Sequence, residues 1–291
     1  MTAAAPRIDL HTHSTASDGT DTPAALVATA HAAGVGVLAI TDHDTTAGWA
    51  EAAAARPRDM ALVRGAEFST RSPDGRGGTV TAHLLGYLFD PAAAEIVAEQ
   101  ERLRSSRRDR VRAMGERMAA GGLPIDADAL LARLSPDSPA GRPHLAQVLV
   151  DAGVVGSVGE AFTEILHRDG PYYVEKEDTP IATAVAMIRA AGGVAVFAHP
   201  FARTRGPCVE ASVLRDLARD GLAGVEIDHP DHVAEDRATL RALADEEGLL
   251  VTGSSDYHGT NKTTAIAAET TAPAVFEALV ERSTGAEVLA G

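Results

Sequence analysis

The chain has 291 residues, 45% of them hydrophobic, and a formal net charge of -15. That is enough apolar content to bury a full core, and too acidic a balance for broad attraction to duplex nucleic acid, whose non-specific affinity comes from basic surface. The single cysteine, Cys208, excludes an internal disulfide and agrees with a reducing compartment. No run approaches a membrane span and the stretch Met1 to Arg7 lacks an apolar core for a signal peptide, so a cytoplasmic protein with no membrane partner is expected.

In chain order, short apolar runs predict strands at 7–10, 35–40, 61–68, 79–89, 194–198, 224–227 and 249–252. Amphipathic, alanine-rich segments predict helices at 23–33, 46–56, 179–191, 209–220 and 233–247. Several of these stop at glycine, as in Ala33-Gly34, Asp220-Gly221 and Glu247-Gly248. Repeated strand, helix, glycine, strand units imply parallel strands with right-handed crossovers. The segment Arg71 to Gly78 is too short for a helix, so the third and fourth strands break the rhythm. The expected fold is α/β, an imperfect barrel with its chemistry at the carboxyl ends of the strands.

From 95 to 174 the strand pattern gives way to helices at 95–119, 127–134, 142–152 and 158–167. Residues 1–94 and 175–291 are therefore assigned to the barrel and 95–174 to an inserted helical subdomain. The first insert helix carries Arg102, Arg104, Arg107, Arg108, Arg110 and Arg112, most simply a solvated face pairing with neighbouring acids. Ser138-Pro-Ala-Gly-Arg142-Pro-His144 is sharper, because a helix starting near Pro143 offers free backbone amides beside Arg142, which suits a phosphate.

Histidines and carboxylates gather where the strands end. The clusters are Asp9-Leu-His11-Thr-His13 with Asp18 close behind, Thr41-Asp42-His43-Asp44, and Ser255-Asp256-Tyr257-His258, with Glu67, His83 and His199 between them. On an extended chain, residues two apart point to one face, so His11 and His13, or Asp256 and His258, could grip one ion. A lone histidine is more often a hydrogen-bonded structural residue, but nine candidate ligands at strand ends exceed that reading. No cysteine belongs to the set, which excludes a thiolate-rich structural zinc site and favours two or three hydrolytic cations sharing a carboxylate.

These motifs resemble the PHP (polymerase and histidinol phosphatase) superfamily of metal-dependent phosphoesterases. The resemblance rests on Asp9 to Gly19, Ile40-Thr-Asp-His-Asp44, Gly65-Ala-Glu67, His83-Leu-Leu-Gly86, Ala198-His-Pro200 and Gly253 to Gly259. In the insert, Ala140-Gly-Arg-Pro-His-Leu-Ala146 and Gly170-Pro-Tyr-Tyr-Val174 are similar to the branch holding nucleoside 3',5'-bisphosphate phosphatases and 5'-3' exoribonucleases. The resemblance implies a distorted seven-stranded (β/α) barrel and a trinuclear site. His11, His13, Glu67 and Asp256 would hold one ion; Glu67 would bridge to a second with His83 and His199; Asp18, His43 and His258 would hold the third. Manganese, iron or zinc is implied.

The implied chemistry is attack on phosphorus by a metal-bridging hydroxide. Arg142 and His144 would clamp the substrate phosphate, with Lys176 and Lys262 as further contacts, and Asp44 and His229 are the candidates to protonate the leaving group. Asp9 and Asp42 are expected to orient imidazoles by hydrogen bonds. The expected activity is hydrolysis of a phosphate monoester of a small nucleotide, foremost the 3'-phosphate of nucleoside 3',5'-bisphosphates. Alternatives are 5'-3' cleavage of short single-stranded RNA, histidinol phosphate hydrolysis, and a non-enzymatic metal-binding regulatory module, which predicts eroded ligands.

Overall fold

The structure, a computed structural model, describes residues 6–135 and 140–290. Residues 1–5, most of the stretch in which no signal peptide is expected, and Ser138 and Pro139 of the insert motif lie outside the described residues. The chain runs β1 (Arg7–Asp9), α1 (Pro23–Ala32), β2 (Val35–Ile40), α2 (Trp49–Ala55), β3 (Ala61–Pro73) and β4 (Thr79–Tyr87). Four helices follow, α3 (Ala94–Ala120), α4 (Ala127–Arg133), α5 (Arg142–Asp151) and α6 (Val158–Glu164). The remainder is β5 (Thr179–Pro180), α7 (Ile181–Ala190), β6 (Val194–Ala198), α8 (Ala211–Asp220), β7 (Gly224–Asp228), α9 (Ala234–Glu247), β8 (Leu250–Gly253) and α10 (Pro273–Glu281).

The sheet is mixed, in the order β1-β2-β3-β4-β6-β7-β8, with β5 on β3. β3 and β4 form an antiparallel hairpin, as the short connection demands, and β4 is antiparallel to β6 as well. Asp74 closes the hairpin turn by accepting from the N–H groups of Arg76 and Gly78 at 2.7 and 2.9 Å. The two ends of the strand path, β1 and β8, are joined just beyond their ladders by a bridge between Thr12 and Tyr257, consistent with a distorted barrel. Among the described residues eight strands replace the expected seven, because Thr179 pairs with Thr70 over only two residues, too short a stretch for any periodicity to reveal. The helix expected from 179 accordingly starts at Ile181. α10 was not anticipated, although Pro273 in its first turn is a recognisable start.

Alternation along the strands sorts the core into two apolar clusters. Leu38, Ile40, Leu62, Leu84, Phe197, Val225 and Ile227 pack with helix residues such as Leu26, Ile188, Leu214 and Leu243. Their neighbours Val37, Ala39, Val63, Leu85, Tyr87 and Val196 belong to a second cluster on the opposite face, which includes Leu279 of α10. Continuing that second face two residues at a time leads from Val63 to Gly65 and Glu67, and from Leu85 back to His83. The same face is thus apolar at one end and polar at the other. Helices α3 to α6 have a separate cluster, including Val111, Met114, Leu131, Leu145, Leu149 and Leu166.

Candidate metal centre

The structure brings all nine candidate ligands to one end of the sheet. His11 Nε2 lies 3.0 Å from His13 Nε2, and both are 3.1 Å from Glu67 Oε2 and 3.4 Å from Asp256 Oδ1. Donor atoms about 2.1 Å from one tetrahedral ion stand about 3.4 Å apart, so these four atoms have the spacing of a coordination shell. Glu67 Oε1 faces His83 Nδ1 at 2.8 Å and His199 Nε2 at 3.2 Å, while Oε2 is 3.2 Å from His43 Nδ1. A further group joins Asp18 with His13, His43 and His258. His43 Nδ1 and His83 Nδ1 are buried without a hydrogen-bond partner despite those short approaches to Glu67, so their lone pairs suit a cation better than the carboxylate. The donor set of imidazoles and carboxylates fits manganese, iron or zinc.

One positional expectation needs correction. His83 is the fifth of the nine residues of β4, which runs against its neighbours, so it reaches the cage from the middle of its strand and not from a carboxyl end. The backbone around the cage is strained: Asp44, His199 and Asp256 have φ of 50°, 30° and 51°, a left-handed conformation uncommon for non-glycine residues and concentrated at functional sites. His258 is followed by Gly259, where a Cβ would sit 1.9 Å from Thr20 Oγ1, so only glycine lets this turn close on the Asp18 loop.

Charge in the cage is tightly coupled. Burial alone would raise the Glu67 pKa, yet His43, His83 and His11 hold it well below the carboxylate range. Burial works the same way at Asp256 and is outweighed by Lys262 and Arg205, whose nitrogens lie 2.6 and 2.7 Å from Oδ2. Burial, reinforced by Arg205, pushes His199 down to about 3, which keeps its imidazole neutral.

Three buried carboxylates brace the cage. Asp9 accepts from Ser255 N and Oγ at 3.0 and 2.6 Å and from Ala267 N at 2.7 Å. Asp42 accepts from Ser14 N at 2.8 Å, Ser14 Oγ at 2.7 Å and Ser17 Oγ at 2.6 Å. Neither is hydrogen-bonded to an imidazole, contrary to expectation. Glu226 is, and the sequence reading missed it: its Oε1 is 3.0 Å from His11 Nδ1. A glutamate enclosed by Val225 and Ile227 in an apolar strand is the signal that could have found it.

The two proton-donor candidates differ. Asp44 accepts from Ser69 N at 2.7 Å with Oδ1 and ion-pairs through Oδ2 with Arg107 Nε at 2.6 Å, so both oxygens are committed. His229 Nδ1 accepts from Asp231 N–H at 3.0 Å, which places its proton on Nε2, 3.4 Å from Asp256 Oδ2. Arg107 also corrects the reading of the arginine-rich helix as a solvated face. The buried residues Ile96, Gln100, Leu103, Arg110, Met114 and Met118 recur every three or four positions, and Arg107 falls on the same stripe. Arg102 and Arg112 do behave as expected, pairing with Glu99 and Asp109.

Arg142 is half-buried, donates to Leu166 O at 2.9 Å and lies over the rings of Phe162 and Tyr173 at 4.9 and 5.6 Å. His144 accepts from Gly141 N–H at 3.1 Å through Nδ1, which orients its ring at the start of α5. Lys176 pairs with Asp178 at 3.0 Å, and burial lowers its pKa. A cavity of about 640 Å³ runs between the cage and the insert, lined by His83 and His199, by Arg142, Arg168 and Lys176, and by Arg205. Arg205 was not anticipated. It reaches the cavity from a 3-10 turn at Arg203–Arg205 and binds Asp231 at 2.6 Å as well as Asp256.

An α/β sheet that gathers imidazoles and carboxylates around a cationic cavity defines a metal-dependent hydrolase of anionic esters. Residues 9–108 match the PHP domain family model. A 3',5'-nucleoside bisphosphate phosphatase from Chromobacterium violaceum is 34% identical over 252 residues, 86% of this chain and 87% of that protein. A 5'-3' exoribonuclease from Haemophilus influenzae is 35% identical over 253 residues, 87% of this chain and 90% of that protein. Among solved structures, a proposed metal-dependent phosphoesterase from Bifidobacterium adolescentis aligns with a TM-score of 0.89 at 33% identity, covering 96% of this chain and 97% of that one. The chain belongs to the PHP family and is a metal-dependent phosphoesterase. No helix among the described residues is long and apolar enough to cross a membrane.

Proposed function

We propose that the enzyme removes the 3'-phosphate of nucleoside 3',5'-bisphosphates. The observation that carries this reading is the double character of the cavity. Cage histidines line it together with Arg205, and Arg142 and Arg168 of the insert, with Lys176 just beyond it, add a second group of cations. A substrate with two phosphates answers both groups, and about 640 Å³ is within the range of small-ligand sites. The similarity to the bisphosphate phosphatase agrees.

In this reading residues 1–94 and 175–291 form the phosphoesterase core and 95–174 the substrate cap. His11, His13, Glu67 and Asp256 hold one ion, Glu67, His83 and His199 a second, and Asp18, His43 and His258 a third. Divalent cations bound there would activate water and draw charge from the phosphate oxygens. Arg205 and Lys262, both on Asp256, supply N–H donors beside the reacting phosphate. Arg142 takes the distal phosphate, where a planar guanidinium can make paired hydrogen bonds. His229, with its Nε2 proton toward the cage, is the donor for the leaving alkoxide. Asp44 and His144 position their neighbours instead.

A second reading, 5'-3' cleavage of short RNA, is favoured by Phe162 and Tyr173, aromatic faces in the same cavity wall on which a base could stack. One assay decides between them. Manganese-loaded protein should convert adenosine 3',5'-bisphosphate to adenosine 5'-monophosphate and inorganic phosphate. Turnover confined to 5'-phosphorylated oligoribonucleotides would install the second reading, and turnover of histidinol phosphate alone would remove both.

A further inference from the structure

β7 contributes none of the nine candidate ligands, yet its fully buried Glu226 touches the strand ends that do. Oε1 accepts from His11 Nδ1–H at 3.0 Å and from the Ser254 hydroxyl, two residues before Asp256. Oε2 accepts from the backbone N–H of His199 at 3.0 Å. One carboxylate therefore links the ends of β1, β6 and β8, and nothing but hydrogen-bond donors faces it in these contacts.

We propose that Glu226 is the positioning residue of the metal centre, a role that rests on the metal-ligand reading of His11 and His199. With the proton of His11 held on Nδ1 by Glu226, the lone pair is fixed on Nε2, the atom that faces His13, Glu67 and Asp256. A neutral imidazole could otherwise place its proton on Nε2, and the shell would lose a donor. The second oxygen holds the His199 amide while that residue sits at φ 30°, a conformation it would not adopt unaided. Asp9 and Asp42 lack this property, since their partners are backbone and serine groups.

The test is calorimetric titration of manganese into metal-stripped protein, comparing wild type with Glu226→Gln and Glu226→Asp, with thermal melts of each stripped form. Glutamine keeps the shape, but its one carbonyl oxygen cannot serve donors on both sides and its NH2 group opposes one of them. Aspartate keeps the charge, and with it the fold, while withdrawing the acceptor from His11. The expected result is that the two classes of site that use His11 and His199 weaken about 10- to 100-fold in both variants, the usual cost of losing such a partner. The third class, of Asp18, His43 and His258, should keep wild-type affinity, and the melts should stay near wild type. Unchanged affinity in both variants overturns the proposal, as does a uniform loss across all classes with a collapsed melt, which would make Glu226 a fold-holding group only. Wild-type protein that takes up no manganese at all would instead overturn the ligand reading beneath it, so the two failures are distinguishable.

Discussion

In the cage, seven of the nine ligand side chains are buried and the other two, Asp18 and His83, are half-buried; in the roof, Arg168 is exposed and Arg142 and Lys176 are half-buried. Most of the cage donors lie in or just beyond strands, with Glu67 and His83 held inside the β3–β4 ladder, and they are braced by Asp9, Asp42 and Glu226. The roof cations hang from a helix start and from the irregular stretch after α6. Such a division separates chemistry from recognition. Relatives with different stated activities match over 86% and 87% of this chain, so overall likeness does not by itself fix the substrate.

The most direct way to break this comparison is Glu67→Ala. Glu67 touches His11, His13, His43, His83 and His199, so its loss should empty the centre and lower kcat/KM about 1000-fold or more, the several kcal/mol that bound cations supply. Elemental analysis alongside a phosphate-release assay checks it. Full metal content in the variant would deny the carboxylate its central place.

Arg107 sharpens the comparison because it belongs to both regions. It rises from α3 of the insert, pairs with Asp44, and donates to Ser69 Oγ, two residues past Glu67. Breaking a buried pair by removing one partner costs about 3–5 kcal/mol, so Arg107→Ala should lower the unfolding free energy by roughly that much. Denaturant melts of Arg107→Ala and of the double variant with Asp44→Asn measure the coupling. Strict additivity would mean that roof and cage are independent after all.

Arg142→Ala should separate the two functions. With a charge-assisted hydrogen bond worth about 1.5–3 kcal/mol, KM is expected to rise roughly 10- to 100-fold while metal content and kcat are retained. An equal loss of metals would show that Arg142, through Leu166 and the Phe162 ring, only holds the insert together.

The same division governs what the amino-acid sequence reveals. His11, His13, His43, Glu67 and Asp256 were legible because each is a polar residue closing an apolar run, and a strand has only two faces on which to put it. Glu226 was legible in principle, as a charge inside an apolar run, and so was Arg107, on the buried stripe of α3. Arg205 was not, since a short 3-10 turn after β6 carries no period that aims its side chains. Nor could periodicity place the insert over the cavity, because helix faces record that something covers them and not which neighbour does.

The smallest expected effect concerns protons in the cage of the metal-free protein. Burial, the largest influence on His13, pulls its pKa down, but hydrogen bonds to Asp256 and Glu67 prevail and raise it from 6.5 to about 9; His11 is raised as well. A base whose pKa is higher in the folded state adds stability below its unfolded value and loses that contribution as pH climbs through the folded one. Metal-stripped protein should therefore melt a few degrees lower at pH 9 than at pH 6.5, by the usual conversion of free energy to temperature for a chain this size. Manganese reverses the trend, because ligating imidazoles must be neutral and metal affinity grows as protons leave. Thermal melts at the two pH values, with and without manganese, should thus show slopes of opposite sign. Equal slopes would mean that the imidazoles do not exchange protons for cations.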